Sequence, residues 1–167
     1  MIVVLMGVSG SGKTTIGTLL AERLGVVFAD ADDYHPAANK EKMKSGQALN
    51  DEDRRPWLET LNRMMRGWLE AGKGGVLACS ALKESYRQIL SAGMPADTVR
   101  YVLLDGSKEL ITERLLKRQH EFMNPGLLAS QMATLERPGG DSIQVVNDRE
   151  PREVAEEILA KVGRDKG

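Results

Sequence analysis

The chain has 167 residues, of which 41% are hydrophobic and 28% charged, and its formal net charge is −1. That length supports one domain with a real core, and the composition is that of an ordinary globular protein. The near-zero charge leaves no global basic field for nucleic acid, and no apolar run approaches the ~18 residues that a membrane helix needs.

The run Ile2-Val3-Val4-Leu5-Met6 predicts a first strand over 2–6. Because it starts at once, no leader segment is expected, and the expected setting is cytoplasmic. The strand runs into Gly7, Val8, Ser9, Gly10, Ser11, Gly12, Lys13 and Thr14, which read G-x-x-x-x-G-K-T. This pattern predicts a phosphate-binding loop. Its glycines let successive N–H groups converge on an anion, and Lys13 reaches the β- and γ-phosphates of a nucleoside triphosphate. The Thr14 hydroxyl is a ligand for Mg²⁺. A helix over 13–24, amphipathic through Ile16, Leu19, Leu20 and Leu24, adds its positive dipole end, and Gly25 closes it.

A strand over 26–29 leads to Asp30-Ala31-Asp32-Asp33-Tyr34-His35-Pro36. Carboxylates this close repel one another unless a cation or substrate hydroxyls lie between them. Read as extended chain, the segment points Asp30 and Asp32 to one side and Asp33 to the other. Asp32 is then the candidate base for a substrate hydroxyl, and Asp30 a candidate for the Mg²⁺ shell. The alternative is a solvated acidic turn that caps the helix expected over 37–45. His35 serves either turn packing or substrate contact.

A long helix is predicted over 51–71. Its acidic first turn, Asp51, Glu52 and Asp53, suits the helix dipole and reads as structural. Arg54 and Arg55 oppose that dipole and point to an anionic substrate. Trp57, Leu61, Met64 and Trp68 fall on one stripe and read as core. A strand over 75–79 ends at Cys79, the only cysteine, which reads as a small buried hydrophobe and leaves no intrachain disulfide.

Lys83 and Arg87 follow, four apart around the helix expected over 84–91. Such a like-charge pair is relieved by an anion or simply solvated. A strand over 99–104 ends on Asp105, which either holds a metal or starts the next helix, over 107–119. Arg114, Lys117 and Arg118 close that helix; they balance its C-terminal dipole or belong to a lid that closes on a triphosphate. A helix over 127–136, a strand over 142–146 and a helix over 151–162, opened by Pro151, complete the chain. Strands alternating with helices predict an α/β fold whose parallel sheet is covered on both faces. Ligands on such a sheet lie beyond the carboxyl ends of the strands.

These motifs resemble the gluconokinase family, small-molecule kinases related to shikimate and adenylate kinases. The phosphate loop fits that whole superfamily. The narrower match lies in Asp30–Pro36, Leu49-Asn50-Asp51 with Asp53-Arg54, Pro56-Trp57 and Cys79–Lys83 with Tyr86-Arg87. Phe122-Met123, Ser130-Gln131 and Thr134-Leu135-Glu136 extend it over nearly the whole chain.

The resemblance implies a single P-loop kinase domain over 1–167, with three layers, a parallel five-stranded sheet in the order 2-3-1-4-5 and a mobile lid at about 119–127. It implies ATP and Mg²⁺ as cofactors, D-gluconate as substrate, 6-phosphogluconate as product and a homodimer as the assembly, with neither nucleic acid nor membrane as a partner. ATP falls to Gly7–Thr14, Thr15 and Arg114, and the metal to Thr14 and Asp30. Catalysis falls to Lys13, Asp32 and Arg118, and the sugar acid to Asp32, His35, Arg54, Lys83 and Arg87. Where the family often has Gly-His-Phe-Met, this chain has His120-Glu121-Phe122-Met123, so no role carries over to His120 or Glu121. The loop from Val146 to Arg149 is expected to meet the nucleotide base through its backbone. Asn147-Asp148-Arg149-Glu150 does not match the guanine-specific Asn-Lys-x-Asp, which argues against a GTP-driven switch. A shikimate-type kinase is the nearest rival.

Overall fold

In the computed structural model, residues 1–8, 11–95, 97–106, 131–137 and 142–164 are described. Five strands, β1 (Ile2–Met6), β2 (Val27–Asp30), β3 (Gly75–Ala78), β4 (Val99–Asp105) and β5 (Ile143–Val146), form one sheet in the order β2-β3-β1-β4-β5. Every pairing is parallel, with Val4 opposite both Leu77 and Tyr101. The expected order therefore stands.

Helices α1 (Lys13–Leu24), α2 (Ala37–Lys44), α3 (Asp51–Glu70), α4 (Glu84–Ser91) and α5 (Pro151–Arg164) cover the two faces. All five residues of β1 are buried, as a central strand covered on both sides requires. Side chains alternate across a strand, so Ile2, Val4 and Met6 join one core while Val3 and Leu5 join the other. The first core is built with α3 and α4, through Trp57, Leu58, Leu61, Met65, Tyr86 and Leu90. The second is built with α1 and α5, through Ile16, Leu20, Val154 and Ile158.

The predicted helices agree with the structure to within two residues where both are described. Residues 131–134 are helical and 135–136 are not, while 127–130 and the helix expected over 107–119 lie outside the described residues.

Two local expectations are corrected. The segment after β2 is a 3₁₀ turn over Ala31–Tyr34, not extended chain, because the Asp30 side chain accepts from the Asp32 N–H and starts the turn. Within α3 the buried residues are Trp57, Leu58, Leu61, Asn62 and Met65, whereas Met64 and Trp68 are only partly buried. Asn62 belongs there because its amide donates to Leu90 O (2.7 Å) and Ala92 O (2.9 Å), tying α3 to the end of α4.

The N-terminus of α3 carries a complete capping box. Asp53 N donates to Asn50 Oδ1 (2.8 Å) and Asn50 N to Asp53 Oδ2 (2.9 Å). Lys42 on α2 also donates to Asp53 Oδ2 (2.6 Å). Asp53 is structural, as expected. No helix among the described residues is long and apolar enough to cross a membrane.

Candidate active site

A cleft of about 1220 Å³ opens at the carboxyl ends of β1, β2 and β3, where the topology of a parallel sheet leaves room for a ligand. Gly12, Lys13, Thr14, Asp30, Asp32 and His35 lie along it with Arg54, Lys83 and Tyr86.

Its floor is the phosphate loop. Gly7 has φ +146 and Gly12 φ +96, and a Cβ at Gly12 would lie 2.3 Å from Asn147 Nδ2. The loop is therefore a cradle that only glycine can close at this point. Asn147, buried behind it, donates to Ser11 O (2.6 Å) and receives its own backbone support from Asp105 O (2.9 Å). Gly12 caps α1 without any side-chain bond, so the first helical N–H groups face the cleft end of the loop. Ser11 Oγ is buried with no hydrogen-bond partner among the described residues.

Lys13 Nζ donates to Gly7 O (2.8 Å) and Val8 O (3.1 Å), within reach of any anion in the cradle. Thr14 Oγ1 donates to Asp30 Oδ2 (3.0 Å). A hydroxyl and a carboxylate side by side are hard oxygen donors of the kind Mg²⁺ takes alongside phosphate oxygens. The residues present thus fit both a nucleoside triphosphate and its metal. Thr15 is exposed on the first turn of α1, outside the cleft lining; Ser9 and Gly10 lie outside the described residues.

Asp32 and Asp33 are both exposed and both line the cleft, so Asp33 does not point away as expected; the Asp32 side chain is 84% accessible. His35 lies behind it, stacked on Trp57 with ring centroids 4.1 Å apart. Trp57 Nε1 in turn donates to Ala31 O (2.7 Å), so the stack carries the turn. Asn39 Nδ2 donates to Asp53 O (2.9 Å) and faces His35 Nδ1 (3.3 Å). An amide nitrogen has no acceptor, so Nδ1 accepts and the hydrogen sits on Nε2, 3.9 Å from Asp32 Oδ1. His35 packs the turn, as one of its two expected readings had it, and it also lines the cleft.

Burial, with Arg54 and Lys40 nearby, lowers the His35 pKa to about 4. The imidazole is therefore neutral at pH 7. An unfolded chain binds the His35 proton below about pH 6.5 and the folded one only below about pH 4, so stability falls across that window as pH falls. Between pH 7 and pH 5 the loss is about 2 kcal/mol. Urea midpoints at the two pH values are expected to show it, and His35→Phe, which keeps a ring on Trp57, is expected to flatten the slope.

The far wall is cationic. Arg54 donates to Leu49 O (2.7 Å) and Tyr86 Oη (3.1 Å), and its guanidinium lies 5.4 Å from the Tyr86 ring centroid. Lys83 Nζ lies 5.5 Å from the same centroid and donates to Asp51 Oδ1 (3.1 Å) and Oδ2 (3.3 Å). Tyr86 Oη also donates to Asp51 Oδ1. These two donors hold the Asp51 carboxyl below its usual range, Tyr86 first and Lys83 second, and Asp51 in turn raises Lys83.

Asp51 was expected to serve only the helix dipole. It belongs to the cleft, through partners 32 and 35 positions away that no local pattern announces. Lys40 and Lys44 on α2 line the cleft as well. They sit four apart on one helix face, and that spacing was the available signal. Arg55 is exposed and lies outside the lining.

Arg87 corrects the expectation placed on it. It is 4% exposed and does not line the cleft. Its guanidinium is spent on Ala81 O (2.8 Å), Glu136 O (2.9 Å) and Glu84 Oε2 (3.0 Å). The like-charge stack with Lys83 never forms, because Lys83 precedes the helix in extended conformation and turns to Asp51.

Asp105 accepts from Arg137 (2.7 Å) and from Gly106 N (2.9 Å) and is not part of the cleft lining. Burial pushes the Cys79 thiol up to about 12, in keeping with an inert core residue. Arg114, Lys117, Arg118, His120 and Glu121 lie outside the described residues.

Comparison with known proteins narrows what this cleft is. Residues 2–138 match the family model described as an AAA domain. A probable gluconokinase of Dictyostelium discoideum is 50% identical over 83% of this chain and 71% of its own length. A gluconokinase of Gluconobacter oxydans is 47% identical over 93% of this chain and 88% of its own. The crystal structure of a gluconokinase from Sinorhizobium meliloti superposes with a TM-score of 0.86 at 38% identity, over 97% of this chain and 91% of that one. An adenylylsulfate (APS) kinase from Mycobacterium tuberculosis and a shikimate kinase from Aquifex aeolicus, each 20% identical with TM-scores of 0.66 and 0.60, share the fold alone. With its phosphate loop, its acidic turn and a match at this level over most of its length, the chain belongs to the gluconokinase family of P-loop kinases.

Proposed function

We propose that the protein transfers the γ-phosphoryl group of ATP to a hydroxyl of D-gluconate, giving 6-phosphogluconate. The observation that supports the reading is a single cleft lined by Gly12, Lys13 and Thr14 of the phosphate loop together with Asp32, Arg54 and Lys83. A sugar acid brings a hydroxyl for the first and a carboxylate for the second.

The roles follow from charge. ATP supplies the phosphoryl group, and Mg²⁺ held by Thr14 and Asp30 would shield its oxygens. Lys13 leaves the loop carbonyls for the phosphates and neutralises charge that grows in the transition state. Asp32 accepts the proton of the attacking hydroxyl, and the Nε2–H of His35 stands behind it to orient the carboxylate. Arg54 and Lys83 receive the substrate carboxylate. Arg114 and Arg118, on the helix expected to lead into the lid, belong to the same reading and would add positive charge over the phosphates. A cytoplasmic setting and a homodimer go with it by family resemblance.

The test is ADP release from Mg·ATP with D-gluconate, other sugar acids, shikimate, nucleoside monophosphates or no acceptor. Turnover confined to D-gluconate is the expected result. Turnover with shikimate instead would keep the chemistry and replace the substrate. Release indifferent to any acceptor would overturn the reading.

A further inference from the structure

The one non-glycine residue with positive φ among the described residues is Ala81, at φ 43, on the turn between β3 and α4. It is 1% exposed and its methyl packs in the core, so the left-handed conformation is not relieved by solvent or by a small side chain at a loop tip. Such a conformation persists only where its surroundings over-determine it. Arg87 holds this turn through its carbonyl. One arm of its guanidinium holds Ala81 O (2.8 Å), and the other holds Glu136 O (2.9 Å), on the segment that returns to the cleft as residues 131–137.

Glu136 completes the clasp from its side. Its N–H donates to Leu82 O (2.7 Å), and its Oε1 accepts from Glu84 N (3.1 Å). Leu82 also packs with Val8, in the phosphate loop, and with Met132 and Leu135. The turn so fixed presents Lys83 to the cleft, and the segment so fixed presents Gln131 and Thr134 to the same space.

We infer that Arg87 is a positioning residue for the sugar-acid side of the cleft, acting through the strained Ala81 turn and Glu136 and never touching substrate. The inference rests on the gluconate reading above. A buried, planar fork suits the site because Nη1 and Nη2 hold carbonyls on two different segments, whereas a lysine would have to serve both from a single nitrogen on a shorter stem. The phosphate loop meets this turn only through a long Gly7 N–Ser80 O bond (3.4 Å) and the packing of Val8 on Leu82, while Asn147 holds it from the other side, so gluconate affinity should follow Arg87 more closely than ATP affinity does.

The experiment compares wild type, Arg87→Lys, Arg87→Met, Ala81→Gly and each Arg87 variant combined with Ala81→Gly, measuring KM for D-gluconate and for ATP. Arg87→Lys is expected to raise KM for gluconate about tenfold, with KM for ATP within about twofold of wild type. Glycine adopts the left-handed conformation freely, so adding Ala81→Gly is expected to recover at least about threefold of that loss. A residue that bound substrate directly would gain nothing from glycine at 81. If Arg87→Met does not fold, the pair Arg87→Lys and Arg87→Lys/Ala81→Gly carries the test. An unchanged gluconate KM in folded Arg87→Lys, a parallel rise in both KM values, or no rescue by glycine each overturns the inference. Wild-type ADP release that ignores gluconate overturns the parent reading as well, which separates the two failures.

Discussion

Asp32→Asn is expected to lower gluconate-dependent turnover by about 10²–10⁴-fold, the usual worth of a positioned general base. The reason is chemical. Asparagine fills the same space beside His35, but its amide cannot accept the proton that the attacking hydroxyl must lose. Binding of ATP, measured by titration calorimetry, should therefore stay within about twofold of wild type, because the lost interaction belongs to the transition state. A turnover number near that of wild type would remove Asp32 from the mechanism.

Gly12→Ala should instead abolish function through the nucleotide. A methyl there meets Asn147 Nδ2 at 2.3 Å, and the backbone at φ +96 is one that L-residues avoid. Strain of about 1–2 kcal/mol for the left-handed backbone and about 1 kcal/mol for a displaced hydrogen bond together predict ATP binding weaker by roughly 30- to 150-fold. The clash has two ways out. Either Asn147 moves and releases Ser11 O, or the loop turns and its N–H groups no longer converge. Both open the cradle, so the loss should appear in ATP affinity before it appears in stability. Asn147→Ala is the informative companion, since it makes room for the methyl while giving up the bond to Ser11 O. Tight ATP binding by Gly12→Ala alone would mean that the loop tolerates what its geometry forbids.

The parts of this protein legible in its sequence are those whose cause is local. The phosphate loop declares itself because the strand, the glycines, Lys13 and the helix follow one another without interruption. The parallel sheet is legible because a strand buried on both faces must be apolar throughout, as Ile2–Met6 is. The cationic wall was only half legible. Lys83 and Arg54 were singled out by charge, but their geometry depends on Asp51 and Tyr86, which meet only when α3 packs on α4.

Arg87 shows the limit of reasoning from charge alone. Four positions from Lys83 it reads as a partner in anion binding, yet burial turns the guanidinium to backbone carbonyls, a destination that no residue identity encodes. The acidic turn went wrong in a smaller way. The period-two reading of Asp30 and Asp32 failed because aspartate bonds its own backbone two residues on, which converts the strand end into a 3₁₀ turn.

The stack of His35 on Trp57 has an optical consequence. The chain has two tryptophans, and Trp57 is the one that lines the cleft, 2% exposed beneath an imidazole that stands next to Asp32. Its indole nitrogen is committed to Ala31 O, so the ring cannot move without the turn that carries Asp32. Trp68 sits further along α3 against Gly75, remote from that turn. Intrinsic emission, read with Trp68→Phe to silence the second indole, is therefore a label already built into the site. Arrival of a sugar acid at Asp32 should register as a change in brightness or wavelength with no dye attached, and protonation of the imidazole near pH 4 should quench the same signal.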